Sequence, residues 1–258
     1  MDLGIAGRKA IVCASSRGLG RACALALAQA GCEIIVNGRD AKVLAATAAE
    51  LRASGAKVTA VQGDVATPSG QAALFGACPE PDILVNNNAG PPFRDFRELT
   101  RQQMIDGVIA NMVVAVELTQ KAIDPMVRNR FGRIVNITSG SVKMPLAGLD
   151  LSSGARAGLT AFMAGIARSV AAANVTINFL LPGTFDTERL ASNIAANAKA
   201  KGVTFDEARI ARMGTVPAKR FGTPEEFGAA CAFLCSAQAG YITGQNLLID
   251  GGAFPGAM

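Results

Sequence analysis

The chain has 258 residues, half of them hydrophobic, with 28 glycines and a formal net charge of +5. That length can bury a substantial core, and the composition excludes a disordered or low-complexity chain. No apolar run reaches the roughly 18 residues of a membrane span, and the N-terminal MDLGIAGRK lacks the basic-then-apolar layout of a signal peptide, so a cytoplasmic location is expected by default.

KAIVCA (9–14) is a compact β-type run, followed by SSRGLG and the Ala/Leu-rich helical stretch RACALALAQAG. CEIIVNG (32–38) predicts the second strand, and AKVLAATAAELRASG predicts a helix stopped by Gly55. AKVTAVQGD, DILVNN, GRIVNITS and VTINFLLPG repeat the strand pattern, with helical segments between them. Leu159, Phe162, Met163, Ile166 and Val170 fall at helical spacing and predict one apolar face. QNLLIDGG reads as a last buried strand. Strands that alternate with helices pair in parallel through right-handed crossovers, with helices on both faces. The expected fold is an α/β doubly wound parallel sheet forming one domain over residues 1–258. The long interruption at about 184–222 is polar, Ala-rich and helical, and reads as a lid over the strand C-terminal ends, where ligands bind in such sheets.

CASSRGLG lies directly after a strand and opens a helix, the context in which backbone amides cradle a pyrophosphate. Ser15, Ser16, Arg17, Gly18, Leu19 and Gly20 are therefore candidate cofactor contacts. Ala14 stands where the first glycine is expected, so the turn must form without free access to positive φ. The second strand ends VNGRD, with Asn37, Gly38 and Arg39 where an NAD site usually places an acid for the ribose 2′-hydroxyl. Two arginines, Arg17 and Arg39, and no acid suit a 2′-phosphate, so NADP(H) is expected over NAD(H). Asp64, followed by Val65, is placed to accept from an adenine amino group, or else caps its loop.

The six cysteines are scattered without a CxxC pair, most of them in apolar runs, and read as buried thiols rather than metal ligands or disulfides. There is no histidine, which removes the commonest general base and metal ligand. No metal is expected. The positive charge comes without a basic block and fits a phosphate-bearing cofactor or substrate at least as well as nucleic acid, and no nucleic-acid partner is expected.

In this order, these motifs resemble the short-chain dehydrogenase/reductase family almost end to end, with its Rossmann fold. ASSRGLG is similar to its glycine motif, GDV to its adenine-site aspartate, and ILVNNNAG to its Asn-Asn-Ala-Gly strand end. That last match has two registers, starting at Asn86 or one residue later, which bring Asn87, Asn88 and Ala89 to the cofactor. The resemblance implies that Asn111 in IAN and Ser139 in GRIVNITS are the active-site asparagine and serine. It also implies that Pro182 and Gly183 run under the nicotinamide. The family's helices (here about 102–130 and 153–172) and its last strand form interfaces, which implies a homo-oligomer, a tetramer or dimer.

The resemblance breaks at LSSGARAGL. The family's tyrosine and lysine, four residues apart, fall on Ser152 and Arg156. In the family the tyrosine gives its proton to the carbonyl oxygen as hydride arrives, and the lysine lowers the tyrosine pKa and holds the nicotinamide ribose. A serine ionises far less readily than a phenol near pKa 10, and an arginine keeps the charge but does not shuttle a proton. Lys143, four residues after Ser139, is a candidate replacement acid, and Asp150 a second. Two readings follow. One is an NADP(H)-dependent reductase of ketone or 3-oxoacyl-thioester carbonyls with an atypical site. The other is a catalytically silent cofactor-binding homologue, a sensor or partner subunit.

Overall fold

A computed structural model describes residues 2–91 and 93–256. Seven strands, β1 (Lys9–Val12), β2 (Glu33–Gly38), β3 (Val58–Gln62), β4 (Ile83–Asn86), β5 (Gly132–Ile137), β6 (Val175–Pro182) and β7 (Asn246–Ile249), form one sheet. Its order is β3-β2-β1-β4-β5-β6-β7, and all six pairings are parallel.

The strands are apolar on both faces because both are covered. Along β1, Ala10 and Val12 join one core with Leu27, Leu44 and Phe227, while Ile11 and Cys13 join the opposite core with Leu74, Leu118 and Met163. The helices α1 (Gly18–Gln29), α2 (Ala41–Ala53) and α3 (Pro68–Ala77) follow the first three strands. Next, α4 (Arg101–Val108) runs through a π-helical turn at Ile109–Val113 into α5 (Val114–Arg128), and α6 (Asp150–Val170) follows β5. After β6 come α7 (Glu188–Lys201) and α8 (Phe205–Gly214), and α9 (Pro224–Cys235) precedes β7. Among the described residues, no helix is long and apolar enough to cross a membrane.

The strand order reverses at β1, whose neighbours are β2 and β4. Crossovers leave to opposite sides there, opening a crevice at the strand C-terminal ends, where doubly wound sheets bind ligands. The segment expected to be a lid supplies α7, begun by Thr187, whose hydroxyl accepts from Leu190 N, and α8, begun by a Thr204–Glu207 capping box.

Three expectations need correction. Ala14 does adopt positive φ, 44°. Its N–H donates to Asn37 Oδ1, while the flanking Cys13 and Ser15 amides donate to Val85 O and Asn37 O. These bonds offset the roughly 1–2 kcal/mol that a left-handed alanine costs. The last strand is half exposed rather than buried, because β7 closes the sheet and has β6 alone beside it. Phe162 leaves the predicted apolar face for the surface, and the buried stripe of α6 continues Leu159–Met163–Ala167.

Candidate active site

A cleft of about 500 Å³ lies over the C-terminal ends of β1, β2 and β4, walled by Ser16, Arg17, Gly18, Leu19, Gly38, Arg39, Asp64, Val65 and Asn87–Ala89. The turn after β1 reaches it because the helix packs tightly beneath. A Cβ on Gly20 would lie 2.5 Å from Ala14 O, and one on Gly38 would lie 2.7 Å from Ser16 Oγ. Side chains at either position would push the turn out of place. At the rim, Arg39 pairs with Asp64 at 3.7 Å and Arg17 with Glu188 at 3.5 Å. Both arginines are largely exposed, so these pairs are worth little and are readily exchanged for a phosphate.

A second cleft, also about 500 Å³, continues from the first and holds Ser139, Ser152, Gly183 and Arg212. The two clefts share Leu19, Thr138, Arg156, Pro182, Thr187 and Arg189. Helix α6 starts at Asp150, so Ser152 and Arg156 stand one turn apart on its buried side. Ser139 sits just past β5, its Oγ accepting from Ser141 N at 3.1 Å.

Arg156 is over nine-tenths buried. Its Nη1 donates to Ile137 O at 3.2 Å and to Thr138 O, the carbonyls at the end of β5. Its Nε has no protein partner. Burial, and then the positive charge of Arg189, push its pKa down to about 10. It remains a cation at neutral pH.

Asn111 lies on the π-helical turn between α4 and α5, a distortion frequent at functional sites. Its Nδ2 donates to Gly107 O at 3.0 Å, and its Oδ1 has no protein partner. Asn86, Asn111 and Arg156, each with a buried unpartnered polar atom, line one cavity of about 20 Å³. That is the room one water needs.

Not every candidate reaches a cleft. Ser15 is fully buried behind the turn, donating to Val12 O and accepting from Asn37 N. Asn37 lines the first cleft, but its amide is spent on Ala14 N, Val61 O and Gly63 O. Gly20 serves through packing, and Gly183 belongs to the second cleft. The Lys143 ammonium lies 5.9 Å from the centre of the Phe254 ring, and Lys143 is part of neither cleft wall. Asp150 is exposed, accepting from Gly148 N. Of the three strand-end asparagines, Asn86 is inside the sheet, donating to Asn136 Oδ1 at 2.9 Å, while Asn87 and Asn88 line the first cleft and donate to Ala14 O and Ala110 O. Thr138, Thr187, Glu188 and Arg189 were not predicted. The signal for Thr187, Glu188 and Arg189 is the TER that follows the Pro-Gly segment, and Thr138 directly precedes Ser139 in NITS.

Residues 13–253 match the family model described as enoyl-(acyl carrier protein) reductase. This chain belongs to the short-chain dehydrogenase/reductase family. Among similar members, the NADPH-dependent reductase BacG of Bacillus subtilis is 30% identical over 95% of this chain and 97% of its own length. A 3-oxoacyl-[acyl-carrier-protein] reductase of Synechocystis sp. is 34% identical over 94% of this chain and 95% of its own. The L-sorbose reductase of Gluconobacter frateurii, solved with NADPH and L-sorbose, superposes with a TM-score of 0.94 at 28% identity, covering 99% of this chain and all of that one. The family's short-chain architecture accounts for the glycine turn, the reversal of strand order and the last strand.

Proposed function

We propose that this chain is an NADP(H)-dependent oxidoreductase that reduces a ketone or 3-oxoacyl-thioester carbonyl without the family's tyrosine and lysine. The observation that carries the reading is the common wall of the two clefts at Thr138, Arg156, Pro182 and Thr187. A cofactor in one would meet a substrate in the other. Similar proteins, an NADPH-dependent reductase and a 3-oxoacyl-[acyl-carrier-protein] reductase, point the same way.

The residues present fit the cofactor. The cradle at Ser16–Leu19 would hold the pyrophosphate, Arg39 and Arg17 the 2′-phosphate, and Asp64 the adenine. Bound NADPH supplies a hydride. The protein must orient the carbonyl, stabilise negative charge on its oxygen and deliver a proton. Ser139 and Ser152 hydroxyls donate hydrogen bonds to that oxygen, and the Arg156 cation stabilises the alkoxide in a partly dry site. The Ser152 hydroxyl is a weak acid, but the product alkoxide is as strong a base as a serine alkoxide, so transfer from Oγ is close to thermoneutral. Water then restores the serine proton.

The test is loss of NADPH absorbance with a panel of ketones and 3-oxoacyl thioesters, for wild type and Ser139→Ala. The reading expects turnover that falls by about 10²–10³-fold in the variant, as for loss of one oxyanion donor. Tight NADPH binding with no turnover of any carbonyl would instead support the silent-subunit reading. We also propose a twofold homo-oligomer, supported by the exposed Met104, Ile105, Val108, Ile109 and Val113 on the α4–α5 surface and Phe162 on α6. Light scattering at micromolar concentration checks it, and a monomer refutes it.

A further inference from the structure

The two clefts meet at a pair of arginines that no acid among the described residues neutralises. The point where a Cβ on Gly90 would lie is 3.2 Å from Arg156 Nη2 and 3.2 Å from both terminal nitrogens of Arg189. Two guanidinium groups thus converge on one small volume. Among the described residues, no carboxylate lies within ion-pair distance of either one. Arg156 is over nine-tenths buried, and among the described residues its Nη2, the nitrogen turned toward this point, makes no hydrogen bond. Arg189 occupies the first turn of α7, where the helix dipole adds to its positive field rather than balancing it. Arg212 adds a third positive charge to the wall of the second cleft. The acid on that wall, Asp250, is already engaged by the amides of Gly252 and Phe254 at 2.9 and 2.8 Å.

Like charges facing one another repel, the more so where one of them, Arg156, is buried, and an anion between them turns that cost into attraction. The rim of the cofactor cleft shows the contrast, since Arg17 and Arg39 both have acids beside them. We infer that the substrate is an oxo acid, with a free carboxylate close to its carbonyl, held by Arg156 and Arg189 beside Ser139 and Ser152. This rests on the reductase reading and narrows its substrate class. In a carrier-bound thioester the corresponding carboxyl is neutral, and the nearest anionic group is a pantetheine arm away. A fork of two guanidiniums fits a planar carboxylate at short range.

The experiment compares acetoacetate and 2-oxobutyrate with their methyl esters, following NADPH oxidation by wild type, Arg189→Gln and Arg189→Lys. Calorimetric titration of oxamate and malonate, which the enzyme cannot reduce, into the NADPH-saturated proteins reports binding without turnover. Arg189 is exposed on its helix turn, so the variants test the site rather than the fold. We expect wild type to prefer at least one acid over its ester by roughly 10- to 100-fold, the range of a charged hydrogen bond. Arg189→Gln should collapse that ratio towards one, through KM, and weaken carboxylate binding far more than NADPH binding. Arg189→Lys should keep part of the preference. Equal use of acids and esters by wild type overturns the inference, as does an Arg189→Gln variant that loses NADPH and carboxylate affinity alike. Carboxylate binding that is lost in Arg189→Gln, with no carbonyl turned over by any protein, keeps the anion site and defeats the reductase reading instead.

Discussion

Strand β5 has a buried arginine at each end, and the two are used in opposite ways. Arg133, near its start, donates from Nε to Ser236 O at 2.9 Å, from Nη1 to Gly132 O and Asn174 O, both at 2.8 Å, and from Nη2 to Asn174 Oδ1 at 3.2 Å. Its guanidinium carbon also lies 4.4 Å from the centre of the Phe131 ring. Arg156, at the far end, spends Nη1 on two carbonyls and leaves Nε unpartnered. The lesson is about accounting for donors. A buried guanidinium with each nitrogen bonded ties loops together, while one that turns an unbonded Nη2 toward a cleft is equipped for a ligand.

The sharpest way to break this contrast is to remove each charge in turn. Arg133→Met strands several buried carbonyls and should cost about 3–5 kcal/mol of stability, read as a lower urea midpoint. Arg156→Met should cost less than about 2 kcal/mol, because few bonds are lost and a buried charge with an unpaired donor is relieved. Turnover should follow the reverse order, with Arg156→Met losing about 10²–10³-fold in kcat and Arg133→Met little per folded molecule. A fully active Arg156→Met would end the contrast.

The next effect runs in the other direction. Ser152→Tyr with Arg156→Lys restores the family's acid and its partner, and should raise carbonyl reduction by up to about 10²-fold, the low end of what a general acid contributes. Ser152 is buried, so overpacking can cost about 1–3 kcal/mol, and a melting curve must accompany the assay. A folded, NADPH-binding double variant with no gain would show that proton delivery does not limit this enzyme.

Titration separates activity from stability at Arg156. Its pKa of about 10 lies below the ordinary guanidinium value, through burial and then the Arg189 charge. Above about pH 10 the folded protein therefore releases this proton while the unfolded chain keeps it. The Arg156 contribution to stability then rises with pH, its burial cost being felt in full below that point. Turnover should instead fall as pH passes about 10, a limb absent from Arg156→Met. The smallest effect lies at the cofactor rim. Arg39→Ala should weaken NADPH by about tenfold and leave NADH nearly unchanged, the scale of one exposed charge-assisted contact. Equal weakening of both would remove Arg39 from 2′-phosphate recognition.

The sheet was legible because each strand is an apolar run closed by a turn residue, and the glycine turn because its strand and helix flank it in sequence. What the chain order hid was direction and distance. Ser15 and Ser16 are neighbours, yet one hydroxyl points back to Val12 O while the other residue lines the cleft. Lys143 has the right spacing from Ser139, and its ammonium lies 5.9 Å from the ring of Phe254, a residue of the second cleft wall, while Lys143 itself is not part of that wall. Arg189 is 33 residues after Arg156, and only the return of the chain over the strand ends after β6 brings them together at Gly90. Propensity alone misses Ala14 because it omits the three amide hydrogen bonds around the turn, two to backbone carbonyls and one to the Asn37 side chain.

The shared wall also imposes an itinerary. Thr138, Arg156, Pro182 and Thr187 belong to both clefts, so on the proposed reading the nicotinamide end of a bound cofactor would complete the substrate's seat. The expected entry is then sequential: the dinucleotide arrives first and departs last, with the alcohol leaving ahead of it, which product-inhibition kinetics would check. In steady state this makes the alcohol a noncompetitive inhibitor against NADPH, and the oxidised dinucleotide a competitive one.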